Sequence, residues 1–458
     1  MNLTREGVAR DLVSHAVESA AAAFDRAAGK PTAGTFSLLD YTRGVTTDLV
    51  QYTAHPSRAL LRLPLRSSAP QSFTIQDAAG NHIPSAIFST AAGRVLLFEE
   101  SFEPNERKDY SIKIGPTPPL PQIPVLVTEN LLQNEFLQLK FDDRGQLGKV
   151  QQKEVEFAFG SFLRSSLVYA GRQFEVENWQ EIETLSLGVA GLKRMQGTIR
   201  LKGTFSARIE REILLAANLP YIYITMRVYY PRTPDQGYDR GQAERLQQAW
   251  DNAWQSVIPC EISPALIGRS NSPLRVWKHN FCDHISTYSL DYAPYSRNTQ
   301  LDSVNNHITH GWVAVSDGDR GLLVAQNADL ASNVAFCPLR TRRQGNVSRV
   351  FFNPFGTYWG RQYHYGTADT GLGNLLAVRT SASGHIKPYA PSYNGRAQEF
   401  SLLLAPYRGD MPPETTRNDA EAFAYPYLVL NDDRLIDTPP HRSWDGVGLG
   451  EIAAKDPA

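Results

Sequence analysis

The first thirty residues carry apolar side chains at Val8, Leu12, Ala16, Ala20, Ala23/Phe24 and Ala27, steps of three and four that line one face of a helix. Gly29 and Pro31 supply its stop signals. A single helix cannot bury such a stripe by itself, so residues 1–30 read as the remnant of a helical bundle.

The period then changes to that of short strands. Residues 59–65, 72–76, 94–98 and 110–114 are β-rich runs, separated by turn clusters such as Asp77-Ala78-Ala79-Gly80-Asn81. They predict a small β-sandwich over 31–115. Pro116, Pro118, Pro119, Pro121 and Pro124 make 116–124 a stiff linker.

Strict alternation resumes at Phe136–Phe141, with Asp143-Arg144-Gly145 as the turn into the next strand. Arg208–Leu215 and Tyr221–Tyr230 are long strands on either side of the Asn218-Leu219-Pro220 turn. Residues 234–310 read as loop-rich and polar, with one helical piece at Gln242–Trp254. Strands return at 311–315, 321–326, 375–380 and 399–404. Long antiparallel strands without intervening helices predict a large sandwich over 125–410. Residues 411–458, rich in proline and weakly periodic, are expected to be an extended C-terminal segment.

Composition narrows the picture. With 42% hydrophobic and 20% charged residues, the 458-residue chain is not a disordered one. A formal net charge of −1 and dispersed basic residues argue against nucleic acid or an anionic membrane as partner. No apolar run approaches a membrane span, and Glu6, Asp11, Glu18 and Asp25 interrupt any leader-like stretch, so a cytoplasmic location is expected. Three cysteines without a CxxC pair exclude a disulfide framework and a thiolate zinc site.

Chemistry-bearing clusters are few. His279, His284, His307 and His310, with Asp283 and Asp302, carry metal-ligand atoms but lack the i,i+4 spacing of a helical zinc site. Lys278, His279, Tyr288 and Arg297 hold the groups of a uronate lyase, where Arg neutralises a carboxylate while His or Tyr takes a proton. The stretch Phe351–Tyr365 interleaves aromatic rings with Asn, Arg, Gln and His, the combination that stacks on and orients a sugar. Gly356, Gly360 and Gly366 favour a loop there over a buried strand. No GxSxG, P-loop, GxGxxG or HExxH pattern occurs.

Several segments together resemble the C-terminal, all-β part of glycoside hydrolase family 38 α-mannosidases. They are Thr128–Asp142 with Gly145, Ile209–Leu215 followed by Tyr221–Tyr230, His310–Asp317 with Gly321–Asn327, Phe400–Asp410, and Arg417–Leu430, in the family's own order. The resemblance implies a mainly β fold: the N-terminal helix, a small β-sandwich, then a large antiparallel supersandwich of the galactose-mutarotase-like kind. It implies carbohydrate binding, with His310, Trp312, Trp359, Arg361, Tyr363, His364 and Tyr365 as the expected contacts. The family's catalysis resides in an α/β barrel with a zinc ion, and no stretch here matches that barrel's motifs. The expectation is therefore an accessory half acting on a mannoside or related glycan only with a separate catalytic barrel. No cofactor is expected in this chain, zinc belonging to the barrel. The alternatives are a stand-alone supersandwich enzyme, polysaccharide lyase or aldose mutarotase-like, and a structural interaction module.

Overall fold

The computed structural model describes residues 35–39, 55–90, 93–104, 106–114, 125–169, 172–176, 179–201, 205–229, 256–279, 284–290, 306–308, 311–326, 336–344, 346–358, 378–380, 386–388, 397–424, 428–430 and 435–436. The helix expected over 1–30 and the linker at 116–124 lie outside them. The chain forms two compact units, Met1–Gln122 with Tyr427–His441, and Ile123–Pro426 with Arg442–Ala458. The fold is mainly β and antiparallel throughout its described pairings. No helix among the described residues is long and apolar enough to cross a membrane.

The described residues of the smaller unit form two sheets. One runs Leu428–Leu430, Thr35–Leu39, Arg107–Ile114, Phe73–Gln76, His82–Ile83, and the other runs Ser57–Pro64, Gly93–Phe102, Ser85–Thr90. Alternate residues Leu61 and Leu63, Leu96 and Phe98, and Phe73 and Ile75 fill one shared core. Each such side chain contributes roughly 1.5–3 kcal/mol by leaving water. At the 77–81 turn, Asp77 Oδ1 accepts the amides of Ala79 and Asn81 at 2.9 and 2.8 Å, and Gly80 takes φ +82°. These local bonds hold the Asp77 carboxyl below its usual range, Asn81 contributing most.

The C-terminal segment is not uniformly extended. Leu428–Leu430 adds an edge strand to the smaller unit, and Arg66 donates from Nε to the Ile436 carbonyl at 2.9 Å. Glu414–Ala424 is a helix of the larger unit. Its buried residues are Thr416, Asn418, Asp419, Ala420, Ala422 and Ala424, small or polar, so no apolar period marks it in the sequence.

In the larger unit a nine-stranded sheet runs Gln180–Ser186, Ala190–Leu201, Phe205–Ala216, Ile222–Tyr229, Ala397–Arg408, Arg320–Gln326, Trp312–Ser316, Arg275–His279, Ile285–Ser289. A seven-stranded sheet runs Arg172–Glu175, Ala158–Tyr169, Ser256–Pro264, Val347–Tyr358, Phe336–Gln344, Asn306–Ile308, with Ile267–Arg269 paired to Val347–Tyr358. A five-stranded sheet spans Leu126–Glu156. One continuous core joins these three sheets, including Leu139, Phe162, Ile213, Ile224, Cys260, Val313, Phe352 and Leu402. Asn134 fixes one corner: its Nδ2 donates to the carbonyls of Ala216 and Leu219, while its Oδ1 accepts the amides of Phe136 and Leu137. Every polar atom of this buried amide is thereby used, as burial requires.

Two sequence expectations change here. Residues 256–289, read as loop, contain four strands, Ser256–Pro264 among them despite Pro259 and Pro264. Residues 351–358, read as loop because of Gly356, continue the strand Val347–Tyr358, and Phe352 is fully buried in the core. Register with Ser256–Pro264, Phe352 opposite Ile262, holds the strand through the glycine.

Candidate functional site

Strand alternation divides the nine-stranded sheet into two faces. Met195, Ile213, Ile224 and Leu402 point into the sandwich core. Their neighbours Arg194, Glu212, Thr225 and Ser401 therefore point out of the opposite face. The register sets these four side by side across four strands: Arg194 opposite Glu212, Glu212 opposite Thr225, Thr225 opposite Ser401.

They form two bonded pairs in one polar row. Glu183 Oε2 lies 2.8 Å from Arg194 Nη1, and Arg194 Nη2 lies 3.4 Å from Glu212 Oε2. The hydroxyls of Thr225 and Ser401 are 3.0 Å apart. The Arg194 and Glu212 side chains are only 11% and 7% exposed, so this ion pair is shielded well beyond a surface one. A second row on the same face holds Gln196, Glu210 and Arg227, and a third holds Thr198, Arg208 and Tyr229. Exposure rises outward, and the Arg208 guanidinium sits 3.8 Å from the Tyr229 ring centroid. The block offers hydroxyls, carboxylates, guanidinium groups and one aromatic ring, with the charges largely neutralising each other. Such a surface suits a neutral, hydroxyl-rich ligand.

Further along that face the helix Glu414–Ala424 packs on the strands Ala397–Arg408, Arg320–Gln326 and Trp312–Ser316. Tyr221 donates its hydroxyl to Asp419 Oδ2 at 2.5 Å, and Phe423 packs against Tyr223 with centroids 5.8 Å apart. Trp312 Nε1 donates to Glu421 Oε1 at 3.3 Å, while His279 Nε2 lies 3.6 Å from the same oxygen. The His279 and Trp312 rings stack 5.8 Å apart at 9°.

Of the expected sugar contacts, Trp312 alone is described, and it is fully buried beneath the helix rather than open to a ligand. His310, Trp359, Arg361, Tyr363, His364 and Tyr365 lie outside the described residues. The histidine cluster is dispersed where described: His279 is buried in the nine-stranded sheet, His284 is exposed, and His307 belongs to the strand Asn306–Ile308 of the other large sheet. Asp283, Asp302 and Arg297 lie outside the described residues. Among the described residues no three His, Cys, Asp or Glu side chains come together, so no set fits a zinc ion. The lyase set also separates. Lys278 and Tyr288 pair with Val313 and Val276 on the core-facing side, where burial lowers the Lys278 ammonium pKa. His279 points to the opposite face.

The polar block escapes a sequence reading because residues 194, 212, 225 and 401 share no spacing. Only the strand register aligns them.

No protein-family model matches the sequence, and no curated protein matches it. Among solved structures, the chain is similar to an alpha-mannosidase from Enterococcus faecalis V583, at 11% identity and a TM-score of 0.48 over 86% of this chain and 45% of that one. It is also similar to a glycosyl hydrolase family 38 protein from Enterococcus faecalis, at 11% identity and a TM-score of 0.45 over 87% of this chain and 47% of that one. A putative aldose 1-epimerase from Escherichia coli K12 aligns over 62% of this chain and 99% of its own, at 10% identity and a TM-score of 0.31. The chain thus spans less than half the length of the first two proteins.

Proposed function

We propose that the larger unit is the carbohydrate-directed, non-catalytic half of an α-mannosidase-like glycosidase. The observation that carries this reading is the polar block on the nine-stranded sheet, an aligned array of Arg194, Glu212, Thr225 and Ser401 grading outward to Arg227, Arg208 and Tyr229. Hydroxyl-rich rings are oriented by fixed donors and acceptors with an aromatic face alongside. The ordered resemblance from Thr128 to Leu430 supports the same assignment. The ligand is a mannoside or related glycan, and hydrolysis belongs to a separate barrel that supplies the zinc and the catalytic carboxylates.

The test is saturation-transfer NMR with methyl α-mannoside and short mannans on the purified chain. Weak contacts that disappear in Arg227→Ala and Tyr229→Ala are expected, with co-purification of a barrel subunit from the native source. Zinc-dependent mannoside hydrolysis by this chain alone, or ligand contacts unchanged in both variants, would overturn it. The lyase reading is disfavoured by the opposed faces of Lys278 and His279.

A further inference from the structure

A positive charge sits inside the larger unit with no negative partner among the described residues. Arg211 lies on the core-facing side of Phe205–Ala216, between Ile209 and Ile213, and is fully buried. Its Nη2 donates to Ser165 Oγ at 3.0 Å. The Trp179 ring covers the guanidinium at 4.0 Å. Its Nε and Nη1 are buried without an acceptor among the described residues.

A guanidinium has its hydrogens spread over both edges and is always charged near neutral pH. Burial here lowers its pKa only to about 10, which leaves it a cation. Among the described residues the ionisable group acting on it is Cys260, whose thiol is buried and held neutral, its pKa pushed up to about 12 by burial. A cation–π contact and one hydroxyl replace little of the lost hydration. An isolated charge at such a position is among the costliest features a core can hold.

We infer that the core of the larger unit takes up a small monovalent inorganic anion, of the halide class, against the unpartnered nitrogens of Arg211. Nη2 stands between Nε and Nη1 on the planar group and gives one of its two hydrogens to Ser165, so an anion at the other edge accepts from one unpartnered nitrogen and from the second hydrogen of Nη2. The neutral thiol of Cys260 adds no opposing charge, and its S–H is a weak donor. The anion enters as the sandwich closes and is a structural component, independent of the polar block on the opposite face of the same sheet.

The experiment uses the full chain, exchanged into sodium gluconate at fixed ionic strength and titrated with chloride or bromide. A saturable rise in Tm of about 3–5 °C is expected at tenfold excess over Kd, with bromide replacing chloride. The rise should vanish in Arg211→Met, whose apolar side chain needs no counter-ion. Bromide-soaked crystals of the unaltered protein should give an anomalous peak within hydrogen-bond distance of Arg211, which keeps the proposal testable if the variant does not fold. Only water or a protein acceptor at Nε and Nη1, or an equal halide response in Arg211→Met, would overturn it.

Discussion

His279 and Trp312 stack ring on ring at 5.8 Å, and both turn their ring nitrogens toward one oxygen of Glu421. Gly311 allows this approach, since a Cβ there would stand 3.0 Å from His279 Nδ1. The arrangement gives Trp312 a structural role: it anchors the helix Glu414–Ala424 to the sheet. Trp312→Ala should therefore cost about 3–5 kcal/mol of stability, the range for a buried tryptophan. Denaturant unfolding measures this. A sugar-stacking role would instead give a stable variant with lost glycan binding.

The same helix is also held by Tyr221 and Asp419, 1% and 2% exposed. Tyr221→Phe keeps the ring but leaves a buried carboxylate oxygen without this donor. The expected cost is about 1–3 kcal/mol, with earlier hydrogen exchange of amides 416–424 than of the sheet strands. A loss below about 0.5 kcal/mol would show that the bond does not anchor the helix.

What could be read from the sequence follows from which signals survive without neighbours. Phe136–Phe141 and Tyr221–Tyr230 announce themselves by alternation and turn chemistry, and Leu137–Phe141 and Ile222–Tyr229 are strands in the structure. Ser256–Pro264 hides because its prolines break the pattern, although Cys260 and Ile262 still alternate into the core. The helix hides because its buried face is alanine, threonine, asparagine and aspartate. The polar block is invisible for a different reason. Each strand shows only an ordinary outward polar position, and the site arises when pairing aligns them.

Gly321 offers a sharper test of register. Tyr407 lies directly opposite it, and a Cβ at position 321 would stand 2.2 Å from the Tyr407 ring and hydroxyl. The ring cannot yield easily: it is 3% exposed and its hydroxyl donates to the Asp410 carbonyl at 3.2 Å. Burial, with Asp410 and Asp317 nearby, pushes its pKa up, so the hydroxyl remains a donor. Gly321→Ala should cost at least about 1–3 kcal/mol. Tyr407→Leu in the same chain should recover part of that loss, giving a coupling of opposite sign in a double-mutant cycle. Simple additivity of the two losses would contradict the cross-strand contact.

The buried Cys260 thiol makes stability depend on pH. Its thiol pKa rises in the folded chain from 9.0 to about 12, through burial first, with Arg211 pulling it down and Glu261 adding to the rise. A group with a raised folded pKa stabilises the fold fully below its unfolded value. That contribution is lost as pH climbs from about 9 toward 12, where the unfolded chain releases its proton more readily. Stability should therefore fall across that window, and less steeply in Cys260→Ala. The three-unit gap also lowers the thiolate fraction near pH 8 by about 1,000-fold, before any effect of restricted access. Peptide mapping after iodoacetamide treatment should find Cys260 unmodified in the native protein and modified in urea. Native labelling at the rate of a free thiol would mean that the core around Arg211 opens to solvent.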